Sequence, residues 1–425
     1  MDSVIVIGAG QAAMQLASTL RDGGYRGRLL LVGDEPGLPY QRPPLSKAYL
    51  AGAVTREELV LSTSKSLEKS EIELRSGVRV CAIDRAAARI ELEDGERVAY
   101  DQLVLATGSR NRLLMVPGCE LAGVRQLRTL AEADALATAL DTARSVAVIG
   151  AGFIGLEFAA LAAQRGLAVT VIEAGARPMG RAVSPEMSGM FRDIHERAGI
   201  RFRFGTTVTR IDGRAGAVIS VRTSAGEQVA ADLVLVGIGV LPNTELAAEA
   251  GLRVADGVEV DTHLCTCDPA ISAIGDCARF PSRFSRDEWV RIESVQNAID
   301  QARTVANRLL GQPYPYGAVP WFWSEQGAYR LQIAGLTAFH DTTVVHGDAE
   351  EGASILCFRA GRLIGVETLN RPREHMAARK LLTLDAALTP DMARQPDFDL
   401  IAHAQRNKAH ARPGEPARTA FTAGH

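Results

Sequence analysis

Cysteine is scarce and scattered: Cys81, Cys119, Cys265, Cys267, Cys277 and Cys357 are the six in a chain of 425 residues, and no Cys-x-x-Cys pair occurs. Cys265 and Cys267 would point to one face of a strand, poor geometry for a disulfide, and no neighbouring His or Cys completes a metal tetrad. All six are expected to be reduced, mostly packing residues. Aromatic residues are few, and neither sign of charge dominates, the formal net charge being −3. Nothing in that balance points to nucleic acid or a membrane surface as the main partner. Long apolar runs are missing too. The strongest, 145–163, is interrupted by Gly150, Gly152, Gly155 and Glu157, which suits a buried strand and helix better than a membrane span. No basic, apolar leader precedes Val4, so the chain is expected in the cytoplasm. At this length two or three domains are expected.

What is present begins at Val4-Ile5-Val6-Ile7-Gly8-Ala9-Gly10-Gln11-Ala12-Ala13. Four apolar residues running into Gly-x-Gly-x-x-Ala read as a buried parallel strand, a tight turn and a helix, with the glycines letting backbone approach a pyrophosphate. Unpaired N–H groups and the helix dipole would hold that anion. The next strand, 28–33, delivers an acid where the adenosine ribose would lie, Asp34 being the better candidate and Glu35 the fallback.

Then 39–50 contains Pro43-Pro44, a rigid turn leading into a short helix with Lys47 near its start. Residues 78–83 and 89–92 alternate as a hairpin turning at Asp94-Gly95, and 103–109 is another buried strand. Past a linker the opening motif returns as Ile149-Gly150-Ala151-Gly152-Phe153-Ile154-Gly155-Leu156-Glu157, with Glu173 closing the following strand; 173 − 150 = 23 residues separate first glycine and acid, near the ~20 usual for such a module. One chain thus carries two dinucleotide sites, which suggests electrons passing between two cofactors. Glu173 favours free ribose hydroxyls over a 2′-phosphate; Arg177 and Arg181 are near enough to hold such a phosphate, but neither replaces the acid. The strand 271–276, ending in Gly275-Asp276, looks like the first module resumed after the second was inserted. From Pro320 short alternating strands and a helix near 374–384 read as an α+β third domain, and 407–425 as a disordered tail.

Five strings, Pro43-Pro44-Leu45-Ser46-Lys47-Ala48-Tyr49-Leu50, Gly152-Phe153-Ile154-Gly155-Leu156-Glu157, Gly275-Asp276-Cys277-Ala278, Arg291-Ile292-Glu293-Ser294-Val295 and Pro320-Trp321-Phe322-Trp323-Ser324, resemble the FAD-dependent NADH:ferredoxin reductases of bacterial oxygenase systems. The resemblance covers residues 4–384. It implies an α/β protein of glutathione-reductase-like fold with two Rossmann-like dinucleotide-binding domains plus a C-terminal α+β domain: FAD-binding 1–109 and 235–318, NAD-binding 110–234, C-terminal 319–406. It implies FAD contacts at Ala12, Asp34, Lys47, Val80, Arg128, Asp276 and Val295, with Asp34 on the adenosine ribose, Asp276 on a ribityl hydroxyl and Arg128 on the pyrophosphate. Lys47 is expected beside the flavin and Glu157 on the nicotinamide side, as its partner. Trp321 and Trp323 share a face if 320–324 is extended, and are either core or part of the flavin face.

In the wider fold a redox-active cysteine pair occupies the stretch matching 40–47, and this sequence has none there. That points to direct electron transfer from flavin to a small [2Fe-2S] ferredoxin. Such partners are usually acidic, so Arg303, Arg379 and Lys380 are expected to steer docking. Two other functions remain open: an NADH oxidase or peroxidase, and a slow-turnover redox sensor.

Overall fold

The structure, a computed structural model, describes residues 1–285 and 288–410. Ser3–Ile7 is the middle of a five-stranded parallel sheet whose order is Ile271–Ala273, Gln102–Leu105, Ser3–Ile7, Arg28–Gly33, Glu73–Ser76. Val4, Ile5 and Val6 are wholly buried, as a parallel strand covered on both faces requires. Helices Gln11–Asp22 and Val295–Leu309 pack closely against each other, and both bury small residues, Ala13 and Ala17 on the first and Ala298 and Ala302 on the second. Ile271–Ala273, far along the chain, pairs with Gln102–Leu105 and completes the sheet.

The inserted segment repeats the plan: Arg201–Phe204, Ala168–Glu173, Ser145–Ile149, Leu233–Val236 and Val124–Arg125 form a second parallel sheet. A domain boundary at 234 would cut Leu233–Val236, all four residues of which are buried in that ladder. The chain enters and leaves the insert instead through an antiparallel pair, Ser109–Asn111 with Val240–Pro242.

The C-terminal sheet is antiparallel, ordered Trp321–Gln326, Tyr329–Gly335, Arg362–Leu369, Gly352–Arg359, Thr342–Asp348. One face meets helices Pro372–Leu384 and Leu400–His410 through Leu356, Phe358, Val366 and Leu381. The other shares a core with the inserted module, Ile333, Ile355 and Cys357 lying in one cluster with Leu156, Phe158 and Phe191. The sheet is therefore sandwiched, which explains why Gly352–Arg359 is apolar on both faces.

Two local expectations are corrected. Pro43–Ser46 is a 3₁₀ turn with prolines in its first two positions, and Lys47 is its C-terminal cap rather than the start of a helix. The prolines fix φ for the turn, and the helical run ends where Lys47 leaves it at φ −130°, ψ −110°. Where a tail was expected from 407, the helix Leu400–His410 continues through Asn407; the rest of that expected tail, 411–425, lies outside the described residues. Among the described residues no helix is long and apolar enough to cross a membrane.

Candidate functional site

Both glycine turns have the geometry of a phosphate cradle. Gly8 has φ +111° and a Cβ there would lie 2.2 Å from the Ala106 carbonyl oxygen; at Gly10 a Cβ would meet nothing within 4 Å. The first glycine is thus forced by packing, while the second leaves open space before the N-terminus of Gln11–Asp22, which has no side-chain cap. Ala13, wholly buried, fills the third position and Ala12 lies against Gly275. Asp34 is exposed and no described residue bonds to its carboxylate, whereas Glu35 is occupied by Tyr40 and Arg42. That division supports Asp34 as the acid free to take ribose hydroxyls. Val80 is buried just past the segment where Val78 N donates to Gly33 O at 3.0 Å, so it neighbours the same strand end.

At the same carboxyl edge of this sheet, just past Gly275, Asp276 and Arg128 meet each other. Their ion pair is 3.0 Å long, and Ser109 Oγ donates to the same carboxylate oxygen at 2.9 Å. Arg42, which sequence reasoning missed, donates to the Arg128 carbonyl at 2.9 Å and brings a second guanidinium to the site. Its only sequence signal was an arginine placed directly before Pro43-Pro44. Cys277 follows Asp276 but is wholly buried, and burial pushes its thiol up, so it is not a poised nucleophile.

Lys47, Val295 and Trp323, scattered in sequence, line one cleft with Gln11, Pro43 and Pro44. Lys47 Nζ donates to Glu157 Oε2 at 2.8 Å and to the Pro43 carbonyl at 3.1 Å. Glu157, 4% exposed, also accepts from Ser46 Oγ and, at 2.6 Å, from Ser324 Oγ. Lys47 comes from the first module, Glu157 from the insert and Ser324 from the C-terminal sheet, so three parts of the chain converge on one carboxylate. Val295 opens its helix behind the Ser294 cap.

The second cradle repeats the first. Gly150 (φ +102°) would drive a Cβ to 2.3 Å from Gly237 O, Gly155 would drive one to 2.3 Å from Gly150 O, and Gly152 faces open space. The Phe153–Gln164 helix starts without a side-chain cap. Glu173 reaches back to this turn, accepting from Ala151 N and from Gly175 N, each at 2.7 Å. Arg177 is spent on the Gly180, Val183 and Ser184 carbonyls and is not available to a phosphate. The residues present fit a dinucleotide at each turn.

Arg303, Arg379 and Lys380 fall around Asp300. Arg303 is exposed and 3.8 Å from it. Arg379 and Lys380 line a cavity with Asp300 and Met376, but Arg379 is half-buried, its guanidinium 4.5 Å from the Trp321 ring. Trp321 and Trp323 do share a face, their ring centroids 5.6 Å apart.

Residues 2–302 match the pyridine nucleotide-disulphide oxidoreductase family and 321–404 the reductase C-terminal family. Rhodocoxin reductase of Rhodococcus erythropolis is 51% identical over 407 residues, 96% of this chain and 95% of its own. The crystal structure of the ferredoxin reductase for the CYP199A2 system from Rhodopseudomonas palustris superposes with a TM-score of 0.92 at 48% identity, over 95% of this chain and 100% of that one. The covalent putidaredoxin reductase–putidaredoxin complex gives 0.93 at 39% identity, over 96% and 99%. With its two cradles, the ion pair between them and these likenesses, the chain belongs to the pyridine nucleotide-disulphide oxidoreductase family, among its ferredoxin reductases.

Proposed function

We propose that this chain is a cytoplasmic enzyme passing electrons from NADH through FAD to a [2Fe-2S] ferredoxin that supplies an oxygenase, either a haem monooxygenase or a ring-hydroxylating dioxygenase. The observation that carries it is the Lys47–Glu157 pair, which ties a lysine lining the first module's cleft to the helix that opens at the second glycine turn. FAD when bound supplies the redox chemistry, accepting a hydride and releasing electrons singly. The chain's residues supply the rest. Asp34, Gly10 and Val80 hold the adenosine end of FAD, and Asp276 with Arg128 the ribityl and pyrophosphate. Gly152 and Glu173 hold NADH. Lys47 is a fixed positive charge at the cleft edge, kept in one rotamer by Glu157 and the Pro43 carbonyl. Val295 and Trp323 wall the cleft against water. The accompanying domain division is 1–111 with 240–318 for FAD, 112–239 for NADH, and 319–410 for the C-terminal domain.

An oxidase or peroxidase of this fold relies on a reactive thiol by the flavin; 40–47 has none and Cys277 is sealed in the core. Steady-state assays decide. NADH should drive rapid reduction of a [2Fe-2S] ferredoxin and of ferricyanide with little oxygen uptake; oxygen consumption outpacing both would replace this reading with the oxidase.

A further inference from the structure

The strand Trp321–Gln326 alternates cleanly. Trp323 and Glu325 line the cleft, while Ser324 and Gln326 point the other way and are buried. On that buried face a hydrogen-bond chain runs from His195 to Glu157. His195 Nε2 lies 2.7 Å from Gln326 Oε1, Gln326 Nε2 lies 3.2 Å from Ser324 Oγ, and Ser324 Oγ lies 2.6 Å from Glu157 Oε1. Ser324, Gln326 and His195 are at most 1% exposed, so water offers no alternative partner.

Simple valence assigns every hydrogen. An ionised carboxylate only accepts, so Ser324 donates to Glu157. The Ser324 oxygen then accepts, which turns the Gln326 amide N–H₂ toward it and the amide carbonyl toward His195. A carbonyl only accepts, so His195 carries its hydrogen on Nε2 and leaves Nδ1 bare, in agreement with Nδ1 having no partner among the described residues. Burial holds the His195 pKa down, so this neutral tautomer persists at ordinary pH. All three donors therefore point one way, and such chains polarise cooperatively. An amide in the middle cannot pass a proton on, so the chain orients and does not relay.

We infer that Ser324, backed by Gln326 and His195, is a positioning residue by which the C-terminal domain sets the Glu157 carboxylate against Lys47 for hydride transfer. The inference rests on the proposed NADH-to-FAD reading and extends it to a third part of the chain. The test is rapid-mixing measurement of flavin reduction by NADH in FAD-loaded wild type, Ser324→Ala, Gln326→Met and the double variant, with FAD content and Tm as controls. Ser324→Ala should slow flavin reduction at saturating NADH roughly tenfold, the scale of one hydrogen bond to a charged group, with the NADH concentration for half-saturation moving less than about twofold. Gln326→Met should slow it by less, and the double variant should match Ser324→Ala, because the amide acts only through the hydroxyl. A Ser324→Ala rate within about twofold of wild type, or multiplying effects in the double variant, overturns the inference. If wild type itself is not reduced by NADH, the functional reading fails instead.

Discussion

Nicotinamide preference follows from where Glu173 is held. Its carboxylate is anchored by two backbone amides, Ala151 N and Gly175 N, so it cannot swing away from a nucleotide lying on the Gly150–Gly152 turn. A negative charge about 4 Å from it costs about 1 kcal/mol at the dielectric of water and about 4 kcal/mol at an effective value of 20. The half-buried site lies between these limits and a 2′-phosphate carries more than one charge, so NADPH should be disfavoured by roughly 2–5 kcal/mol, about 30-fold to a few thousand-fold in kcat/KM. Glu173→Gln removes the charge and retains an acceptor for one of the two amides. It should cut the NADH:NADPH ratio of kcat/KM by at least about 30-fold, with Tm little changed. A ratio within about threefold of wild type would mean that the ribose does not lie against this carboxylate.

Three further outcomes are expected. Asp276→Ala leaves Arg128 and Ser109 without their shared acceptor and should release FAD on dialysis; full retention would refute the assignment. Arg303→Glu should slow ferredoxin reduction roughly three- to tenfold at low salt and less at high salt, with ferricyanide reduction unchanged, whereas Arg379→Glu also breaks the stack on Trp321 and should impair both activities. Burial, with Arg379 and Arg330 adding, depresses His375 from 6.5 to about 4. The native state therefore refuses a proton that the unfolded chain accepts, so stability is full above pH 6.5 and falls as pH drops to 4, by about 3 kcal/mol in all. His375→Leu should remove that part of the acid loss in Tm against pH; parallel curves for the two proteins would contradict it.

The parts of the site readable from sequence were those set by short-range rules. At Gly8, Gly150 and Gly155 a Cβ would lie 2.2–2.3 Å from a backbone oxygen, and strand periodicity puts Asp34 and Glu173 at or just past the ends of their strands. What escaped depends on long-range contacts. Ser46 and Ser324 reach Glu157 across 111 and 167 positions, and no local pattern marks a serine as a carboxylate's donor. The end of the insert is hard to read because Leu233–Val236 looks alike whichever sheet it joins, and only its pairing with Ser145–Ile149 shows which sheet that is. Lys47 lines the cleft from the end of a single 3₁₀ turn rather than from near the start of a helix, a difference the proline pair does not reveal in the sequence.

The central claim is electron passage from NADH to a one-electron iron–sulfur partner, and an anaerobic count tests it most directly. FAD-loaded protein is mixed with a limiting amount of NADH and excess oxidised [2Fe-2S] ferredoxin, and reduced clusters are counted by electron paramagnetic resonance. A hydride carries an electron pair, so the account predicts a pair of reduced clusters for each NADH consumed, with the flavin returned to its oxidised spectrum. A flavin that NADH fails to bleach, or one that bleaches and leaves the clusters oxidised, would contradict it.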